Sequence, residues 1–261
     1  MSRVAIVTGA ARGIGAAAVA ALAADGWTVV AVDRGSDDPR LPYPMGSEAE
    51  LHAVVEGVGA ERASAVLADA TDREQLARVV EDAELRHGGV DAIVVAAGVI
   101  GGGVPLWEMA LEEEAAVLDV NLGGTLTAAR VGIPAMLRRP APRQGRFIAV
   151  ASSAASRGLP LLAAYCAAKA GVTGLIRALG SELRGTGITA NAVSPGSTRT
   201  PILEESARLY GLAGAEAFAV QQPIERLLHP EEVAALVAWL AGSAGSGITG
   251  ADFPIDGGLS L

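Results

Sequence analysis

The chain has 261 residues, with 29 acidic side chains against 20 lysines and arginines, and its formal net charge is -9 at neutral pH. This balance, with arginines scattered along the chain, excludes a nucleic-acid groove, which needs clustered basic residues. The longest apolar stretch, residues 16–24, falls far short of the roughly 20 residues that cross a bilayer, so we expect one soluble domain over residues 1–261 and no membrane partner.

Cysteine usage points to a cellular compartment. Cys166 is the only cysteine, so no internal disulfide can form, and a reducing cytoplasm is the natural setting. The first predicted strand begins at Val4, which leaves no room for a signal peptide. We therefore expect a cytoplasmic protein, and we interpret Cys166 as a packing residue rather than a nucleophile.

Short β-branched runs alternate with helical stretches along the chain. A strand at residues 4–7 precedes a glycine-rich turn and an alanine-rich helix that ends at Asp25. Further strands are predicted at residues 27–32, 63–67, 92–96, 146–151, 188–193 and 253–255, and helices at residues 48–58, 73–86, 112–137, 164–183 and 230–240. This alternation predicts an α/β Rossmann fold, with a doubly wound parallel sheet and helices on both faces. The long loops at residues 34–47, 99–105 and 194–223 are expected to serve function.

The glycine-rich turn predicts a nucleotide site. Gly9, Gly13 and Gly15 lie between the first strand and the first helix. Without side chains there, the backbone can approach a pyrophosphate, whose charge the helix N-terminus stabilises. The spacing is TGxxxGxG rather than the general GxGxxG fingerprint.

Acidic residues after the second strand predict which nucleotide binds. Asp33 lies eighteen residues after Gly15, where a carboxylate accepts hydrogen bonds from the ribose hydroxyls and repels a 2′-phosphate. Asp37 and Asp38 are expected to reinforce that preference, whereas Arg12 is a weak signal for NADP. The sequence therefore predicts NAD as the cofactor.

A second group of residues predicts proton transfer. Lys169 is the only lysine and stands four residues after Tyr165, so on a helix the phenol and the ammonium share a face. A nearby cation lowers the pKa of a tyrosine, and an ammonium is more compact than a guanidinium. Ser152 lies thirteen residues before Tyr165, just after a predicted strand, and Ser153 is the less favoured alternative. Together Ser152, Tyr165 and Lys169 predict an acid/base site.

With these motifs the chain resembles the classical short-chain dehydrogenases/reductases from Arg3 to its end. The resemblance is carried by Thr8-Gly9-Ala10-Ala11-Arg12-Gly13-Ile14-Gly15, by Asn121 in Val-Asn-Leu-Gly-Gly, and by Ser152, Tyr165 and Lys169. It implies seven strands in the order 3-2-1-4-5-6-7. It also implies that Tyr165 is the general acid/base, that Lys169 lowers its pKa and binds the nicotinamide ribose, and that Ser152 holds the substrate oxygen. Asn121 would anchor a proton-relay water, or would be a satisfied buried amide that kinks its helix, and both interpretations stay open.

The same resemblance implies the residues that bind the cofactor. They are Gly9, Arg12, Gly13, Ile14, Gly15, Asp33, Asp69, Ala70, Ala97, Gly98, Tyr165, Lys169, Pro195, Gly196, Thr198 and Thr200. One segment departs from the family pattern, because Val95-Ala96-Ala97-Gly98 stands where most members have Asn-Asn-Ala-Gly. The shape of the adenine side of the pocket is therefore open.

Apolar residues are expected to wall the substrate cleft, under a lid at about residues 197–225. The expected wall residues are Val99, Ile100, Leu106, Trp107, Leu159, Leu161 and Leu162. Arg157 and Arg199 could reach inward, but no arginine pair presents itself for a carboxylate or phosphate. The three histidines show no metal-ligand spacing, so no metal site is expected. An apolar secondary alcohol or ketone is the expected substrate.

Two segments look like the mycofactocin-associated branch of the family. These are Asp37-Asp38-Pro39 with Tyr43-Pro44, and residues 97–108. Members of that branch hold NAD tightly and pass electrons to mycofactocin, a redox peptide. Residues 34–47, with three prolines, would then cover the adenosine end, although a solvated surface loop is the alternative.

Two other functions stay open, and one assembly is expected. The chain could be a 3-oxoacyl thioester (acyl-carrier-protein) reductase, which Asp33 and the net charge oppose. It could also be a non-catalytic nucleotide-sensing protein, which intact Ser152, Tyr165 and Lys169 oppose. Family habit implies a homotetramer.

Overall fold

Seven strands form one parallel sheet in this computed structural model, which describes residues 3–261. The strands are β1 (Val4–Thr8), β2 (Thr28–Asp33), β3 (Ala63–Leu67), β4 (Ala92–Val95), β5 (Arg146–Val150), β6 (Thr189–Pro195) and β7 (Asp252–Ile255). Their order in the sheet is β3-β2-β1-β4-β5-β6-β7, and every neighbouring pair is parallel. The predicted fold and strand order are confirmed.

Helices cover both faces of the sheet. They are α1 (Gly13–Ala24), α2 (Glu48–Val58), α3 (Arg73–His87), α4 (Leu111–Leu118), α5 (Gly124–Arg138), α6 (Ala163–Glu182), α7 (Pro201–Leu209) and α8 (Pro230–Ala241). No helix within the described residues is long and apolar enough to span a bilayer.

Each face of the sheet has its own apolar core, because successive side chains of a strand point in opposite directions. Ile6 of β1 packs with Leu76 of α3 and Ile176 of α6 in one core. Its neighbours on the strand pack in the other core, where Leu22 of α1 and Leu51 of α2 lie. Full burial of such side chains contributes about 1.5–3 kcal/mol each, which holds the strand ends in fixed positions.

The predicted helix over residues 112–137 is wrong in one respect. Helices α4 and α5 are joined by a wide turn, Asp119–Gly123, in which the N–H of Gly124 donates to the carbonyl of Asp119, five residues earlier. Such a turn holds one residue more than a regular helix and is frequent at functional sites. It carries Asn121, whose side chain is buried.

The expectation that residues 194–223 form only a loop is also wrong. Helix α7 lies within this segment, and the Thr200 side chain accepts the N–H of Leu203 while Pro201 occupies the first turn. Both are typical N-terminal signals of a helix, and the sequence analysis overlooked them.

Candidate functional site

A cleft of about 560 Å³ lies at the carboxyl ends of the strands. This is where open parallel sheets bind ligands. The cleft is lined by every residue that the sequence analysis assigned to catalysis or cofactor binding: Gly9, Arg12, Gly13, Ile14, Gly15, Asp33, Asp69, Ala70, Ala97, Gly98, Asn121, Ser152, Tyr165, Lys169, Pro195, Gly196, Thr198 and Thr200. Eight separate segments of chain therefore meet at one place.

The glycine-rich turn fits its surroundings only because it lacks side chains. A Cβ on Gly15 would lie 1.9 Å from the carbonyl oxygen of Gly9, and one on Gly9 would lie 2.5 Å from the amide nitrogen of Ala97. Gly9 and Gly13 also have φ angles of +68° and +58°, which favour glycine. The turn thus lies tightly between β1 and α1 and directs backbone N–H groups of the helix N-terminus toward the cleft.

Asp33 lies at the end of β2, beside the glycine-rich turn. Its carboxylate accepts the N–H of Ala11 at 3.0 Å and that of Gly35 at 3.3 Å. Because each carboxylate oxygen accepts only one of these bonds, each keeps a lone pair for a further donor. Binding of a ribose hydroxyl by this carboxylate stays a prediction.

Asp38 does not act as the sequence analysis expected, and the expectation for Asp37 stays a prediction. Arg34 and Arg40 both form ion pairs with Asp38, and the hydrogen bond from Arg40 holds the pKa of Asp38 well below its usual range. Asp37 accepts the backbone N–H of Met45 at 2.8 Å. Because the Asp38 charge is compensated inside the loop, it adds little repulsion toward a 2′-phosphate. The expected reinforcement by Asp38 is therefore wrong.

Residues 34–47 form a roof over the cleft, and we use that name for them below. The Tyr43 hydroxyl accepts the N–H of Ile100 at 2.8 Å, on the side of the cleft after β4. On the opposite side, Arg12 donates to the carbonyl of Pro44 at 2.7 Å. The roof thus spans the cleft between the glycine-rich turn and the segment after β4.

Two further contacts fix the roof. Leu41 is buried against Val99 and Ala116. Arg40 forms an ion pair of 2.7 Å with Asp119, in the wide turn. These contacts anchor the roof to the rest of the protein, and its covering of the adenosine end stays a prediction.

Ser152, Tyr165 and Lys169 come together at the chemical end of the cleft. Ser152 lies two residues after β5, Tyr165 lies in the first turn of α6, and the Ser152 side chain is near enough to the phenol to influence its pKa. Lys169, one turn further on, donates to the carbonyl of Val150 at 2.9 Å. Its Nζ lies 5.7 Å from the centre of the Tyr165 ring. The geometry therefore places the phenol and the ammonium on one face, as the spacing predicts.

The pKa of the phenol differs from the expectation. Burial raises the pKa of Tyr165 to about 12, while the Ser152 side chain acts in the opposite direction. Burial also lowers the pKa of Lys169 to about 8. We expected Lys169 to lower the pKa of Tyr165, but burial is the largest influence on the phenol, and Lys169 is not among the groups that shift its pKa.

Asn121 is a satisfied buried amide. Its Nδ2 donates to the carbonyl of Val99 at 2.9 Å and to that of Val117 at 2.8 Å, and its Oδ1 accepts the N–H of Val99 at 3.3 Å. One amide hydrogen therefore holds the segment after β4 at Val99, and the other is used by the carbonyl of Val117 in α4. Gly98 lets the Asn121 side chain lie close to the backbone after β4, since a Cβ on Gly98 would lie 3.0 Å from the Asn121 Oδ1 and 3.6 Å from the Lys169 Nζ.

The substrate end is apolar, although not all the expected residues form it. Val99, Ile100, Leu159 and Leu162 line the cleft, together with the lid residues Ile202, Leu203, Leu212 and Phe218. Leu106, Trp107 and Leu161 do not line it, and Trp107 is 85% exposed. Arg199 is also outside, because it forms an ion pair with Glu216. Arg157 does line the cleft.

The sequence analysis missed two tyrosines of the site. Tyr43 belongs to the roof, and Tyr210 follows α7 and donates from its hydroxyl to the carbonyl of Pro160 at 2.6 Å. The chain has only three tyrosines, and all three line the cleft. Their scarcity was a signal of the same kind as the single lysine.

Comparison with known proteins adds an independent finding. A family model described as enoyl-(acyl carrier protein) reductase matches residues 9–260. The NAD(+)-dependent 2-dehydro-3-deoxy-L-rhamnonate dehydrogenase of a Sphingomonas species is 33% identical over 98% of this chain and 94% of its own. The 3-oxoacyl-[acyl-carrier-protein] reductase of Thermotoga maritima is 35% identical over 99% and 98%. A solved 3-ketoacyl-(acyl-carrier-protein) reductase from Brucella melitensis, complexed with NADH, has a TM-score of 0.87 at 30% identity, over 99% and 98% of the two chains.

Proposed function

Because the chain belongs to the classical short-chain dehydrogenase/reductase family, we propose that it is an NAD-linked oxidoreductase that interconverts an apolar secondary alcohol and its ketone. The observation that carries this proposal is the convergence of Ser152, Tyr165 and Lys169 on the cleft that the glycine-rich turn also lines. A catalytic acid/base and a dinucleotide cradle in one cleft are what hydride transfer to a carbonyl needs.

The protein's own groups supply the proton chemistry. Tyr165 is a phenol at neutral pH, since burial raises its pKa to about 12, so it is ready to donate a proton to a ketone oxygen. Ser152 donates a hydrogen bond to the same oxygen and stabilises its developing negative charge. In the direction of alcohol oxidation the tyrosine must accept the proton, and the Lys169 ammonium favours the phenolate that does so.

The residues present fit a dinucleotide. The glycine-rich turn offers the N-terminus of α1 to a pyrophosphate, and Asp33 offers two carboxylate lone pairs to the ribose hydroxyls. Lys169 would hold the nicotinamide ribose, and Thr198 and Thr200 would lie at the carboxamide. Bound NAD supplies the hydride acceptor for alcohol oxidation and the hydride donor for ketone reduction.

The finer proposal is that NAD is held tightly and that mycofactocin is the external electron acceptor. The roof supports tight binding, because it joins both sides of the cleft through Tyr43 and Arg12. A nucleotide lying beneath it leaves only when those contacts open. We further propose a cytoplasmic homotetramer, supported by the single cysteine and by family habit.

Reduction of a 3-oxoacyl thioester remains the second candidate, because a relative that is 35% identical carries that name. Asp33 disfavours the NADPH that such enzymes generally use. A nucleotide sensor without catalysis is the third candidate, and the intact acid/base group opposes it.

Two measurements test the proposal. Freshly purified protein is denatured, and the supernatant is assayed for NAD(H) and NADP(H). Stoichiometric NAD(H) supports a retained cofactor, an empty site indicates an exchanging dehydrogenase, and NADP(H) contradicts the assignment of Asp33. In the second measurement, Tyr165→Phe should lower kcat by about 10²- to 10⁴-fold. Tyr210→Phe is the matched control, and equal activity of Tyr165→Phe and the unaltered protein would refute catalysis.

A further inference from the structure

One charged side chain lies at the substrate end of the cleft, away from the nucleotide residues. The walls there are apolar, formed by Leu159, Leu162, Ile202 and Leu203 among others, and Arg157 is the charged member among the described residues. An apolar pocket with one or two polar groups orients its ligand through those groups. Arg157 is therefore the residue of this end that could orient a charged ligand.

The other cations of the cleft are already engaged. Arg12 donates to the carbonyl of Pro44, and Lys169 donates to that of Val150. Arg34 pairs with Asp38 at 3.1 Å and lies 3.6 Å from the carboxylate of Asp69. Arg12 and Arg34 belong to the nucleotide end of the cleft, and Lys169 belongs to the acid/base group.

Arg157 lies at the substrate end, and no carboxylate of the described residues pairs with its charge, a property that it shares with Arg12 but not with Arg34. Its Nη1 donates to the backbone carbonyl of Leu259, which also lines the cleft, and no carboxylate of residues 3–261 lies within 4.0 Å of its guanidinium. By contrast, Arg199 pairs with Glu216 and Arg208 with Glu205, each outside the cleft. One bond to a neutral acceptor leaves most of the guanidinium donors available to a ligand.

The backbone of Arg157 is fixed close to the acid/base group. Its N–H donates to the carbonyl of Ser153 at 3.0 Å, and its own carbonyl accepts the Cys166 thiol at 3.7 Å. Ser153 follows Ser152, and Cys166 follows Tyr165. The backbone from which this guanidinium extends is thus fixed beside the two groups that meet the reacting oxygen, and the residue itself is exposed.

We infer that Arg157 binds a carboxylate at the end of the substrate remote from the reacting carbon, so that the substrates are apolar hydroxy acids and the corresponding oxo acids. The planar fork of a guanidinium matches a carboxylate with two parallel hydrogen bonds, which fixes orientation as well as adding affinity. The apolar walls hold the chain or ring between the two polar ends. This inference rests on the proposed function for the place of the reacting oxygen.

A length series measures the effect directly. Hydroxy acids with the hydroxyl on the penultimate carbon, from 3-hydroxybutanoate to 9-hydroxydecanoate, are compared with 2-alkanols of the same carbon number. At one or more lengths the acid should have a kcat/KM about tenfold above that of its alkanol. Arg157→Gln should remove this acid-to-alkanol ratio, Arg157→Lys should restore part of it, and Arg177→Gln, an exposed arginine of α6 outside the cleft, should leave the ratio as it is.

Binding is measured separately from turnover. Calorimetry with octanoate on the NAD-loaded Tyr165→Phe variant should show binding that weakens about tenfold when Arg157→Gln is added and that weakens with rising salt. If this binding is seen but no alcohol is oxidised, the proposed function fails, the assignment of hydroxy acids as substrates fails with it, and Arg157 stands as a carboxylate-binding residue. If alkanols are oxidised but no acid exceeds its alkanol, or if Arg157→Gln leaves the ratio and the octanoate affinity unchanged, the inference is wrong and the proposed function stands. If neither oxidation nor octanoate binding occurs, both are wrong.

Discussion

Replacing Tyr43 by phenylalanine should open the roof. The hydroxyl accepts the N–H of Ile100 at 2.8 Å, and Ile100 is only 3% exposed, so the variant leaves a buried donor without its partner. That loss costs about 1–3 kcal/mol. The ring keeps its apolar neighbours, among them Leu41. When the roof is open, the freed N–H of Ile100 binds water, so the substitution destabilises only the closed state. Nucleotide release should therefore become about 5- to 150-fold faster.

The assay is release of bound NADH, followed by its fluorescence after mixing with excess NAD in a stopped-flow instrument. Tyr210→Phe is the control, because it removes a hydroxyl that holds the lid at Pro160 rather than the roof, and its release rate should stay unchanged. A release rate of Tyr43→Phe within twofold of the unaltered protein would refute the view that this contact keeps the roof closed.

Three further changes probe the cradle and the acid/base group. Asp33→Ser removes the charge that would repel a 2′-phosphate, so the ratio of kcat/KM for NADP over NAD should rise at least about tenfold; an unchanged ratio would show that Asp33 does not select the cofactor. Gly15→Ala places a Cβ 1.9 Å from the carbonyl oxygen of Gly9. This variant should bind NAD more weakly in calorimetry, and its free energy of unfolding should be lower by about 1–3 kcal/mol. Gly57→Ala is the control, because a Cβ there meets nothing within 4 Å, and its free energy of unfolding should be unchanged or higher. Burial lowers the pKa of Lys169 to about 8, so between pH 8 and 10 the unfolded chain binds more protons at this group than the folded chain does. Over that range the free energy of unfolding of the unaltered protein should therefore rise by about 2 kcal/mol relative to that of Lys169→Met, as measured by urea titration. A difference between the two proteins that stays constant from pH 8 to 10 would contradict the shifted pKa.

Sequence reasoning reached the sheet and the reacting groups because their signals are local. The strand that ends at Asp33 and the helix that carries Tyr165 and Lys169 each follow from a short pattern of residues. The nucleotide-binding function of the glycine-rich turn followed from its place between a strand and a helix. The strand order came from the family resemblance, since no local pattern specifies which strands become neighbours. The sequence positions of Asp33, Tyr165 and Lys169 were enough to place them, because each position is defined by the end of one strand or by one turn of one helix.

The rest depends on contacts between distant segments. The hydrogen bond of Tyr43 with Ile100 joins residues 57 positions apart, and that of Tyr210 with Pro160 joins residues 50 apart. No local pattern reports such pairs. Side-chain direction is equally hidden, and Trp107, which hydrophobicity alone assigned to the cleft, lies 85% exposed. The pKa of Tyr165 was misjudged for a related reason, because spacing identifies the nearby cation but not the depth of burial.

The wide turn between α4 and α5 affects how the contact between Asn121 and Val99 can be lost during evolution. Because that turn holds one residue more than a regular helix, deletion of a single codon within Asp119–Gly123 would let the two helices run on as one. The side chains that remain within the turn would change direction, since each residue of a regular helix is rotated by roughly 100° from the one before it. The amide that now binds Val99 on both its N–H and its carbonyl would face elsewhere. A related protein could thus lose the support of the segment after β4 without any substitution in the sheet. The length of this turn, more than the presence of its asparagine, therefore indicates whether a related sequence forms the same arrangement.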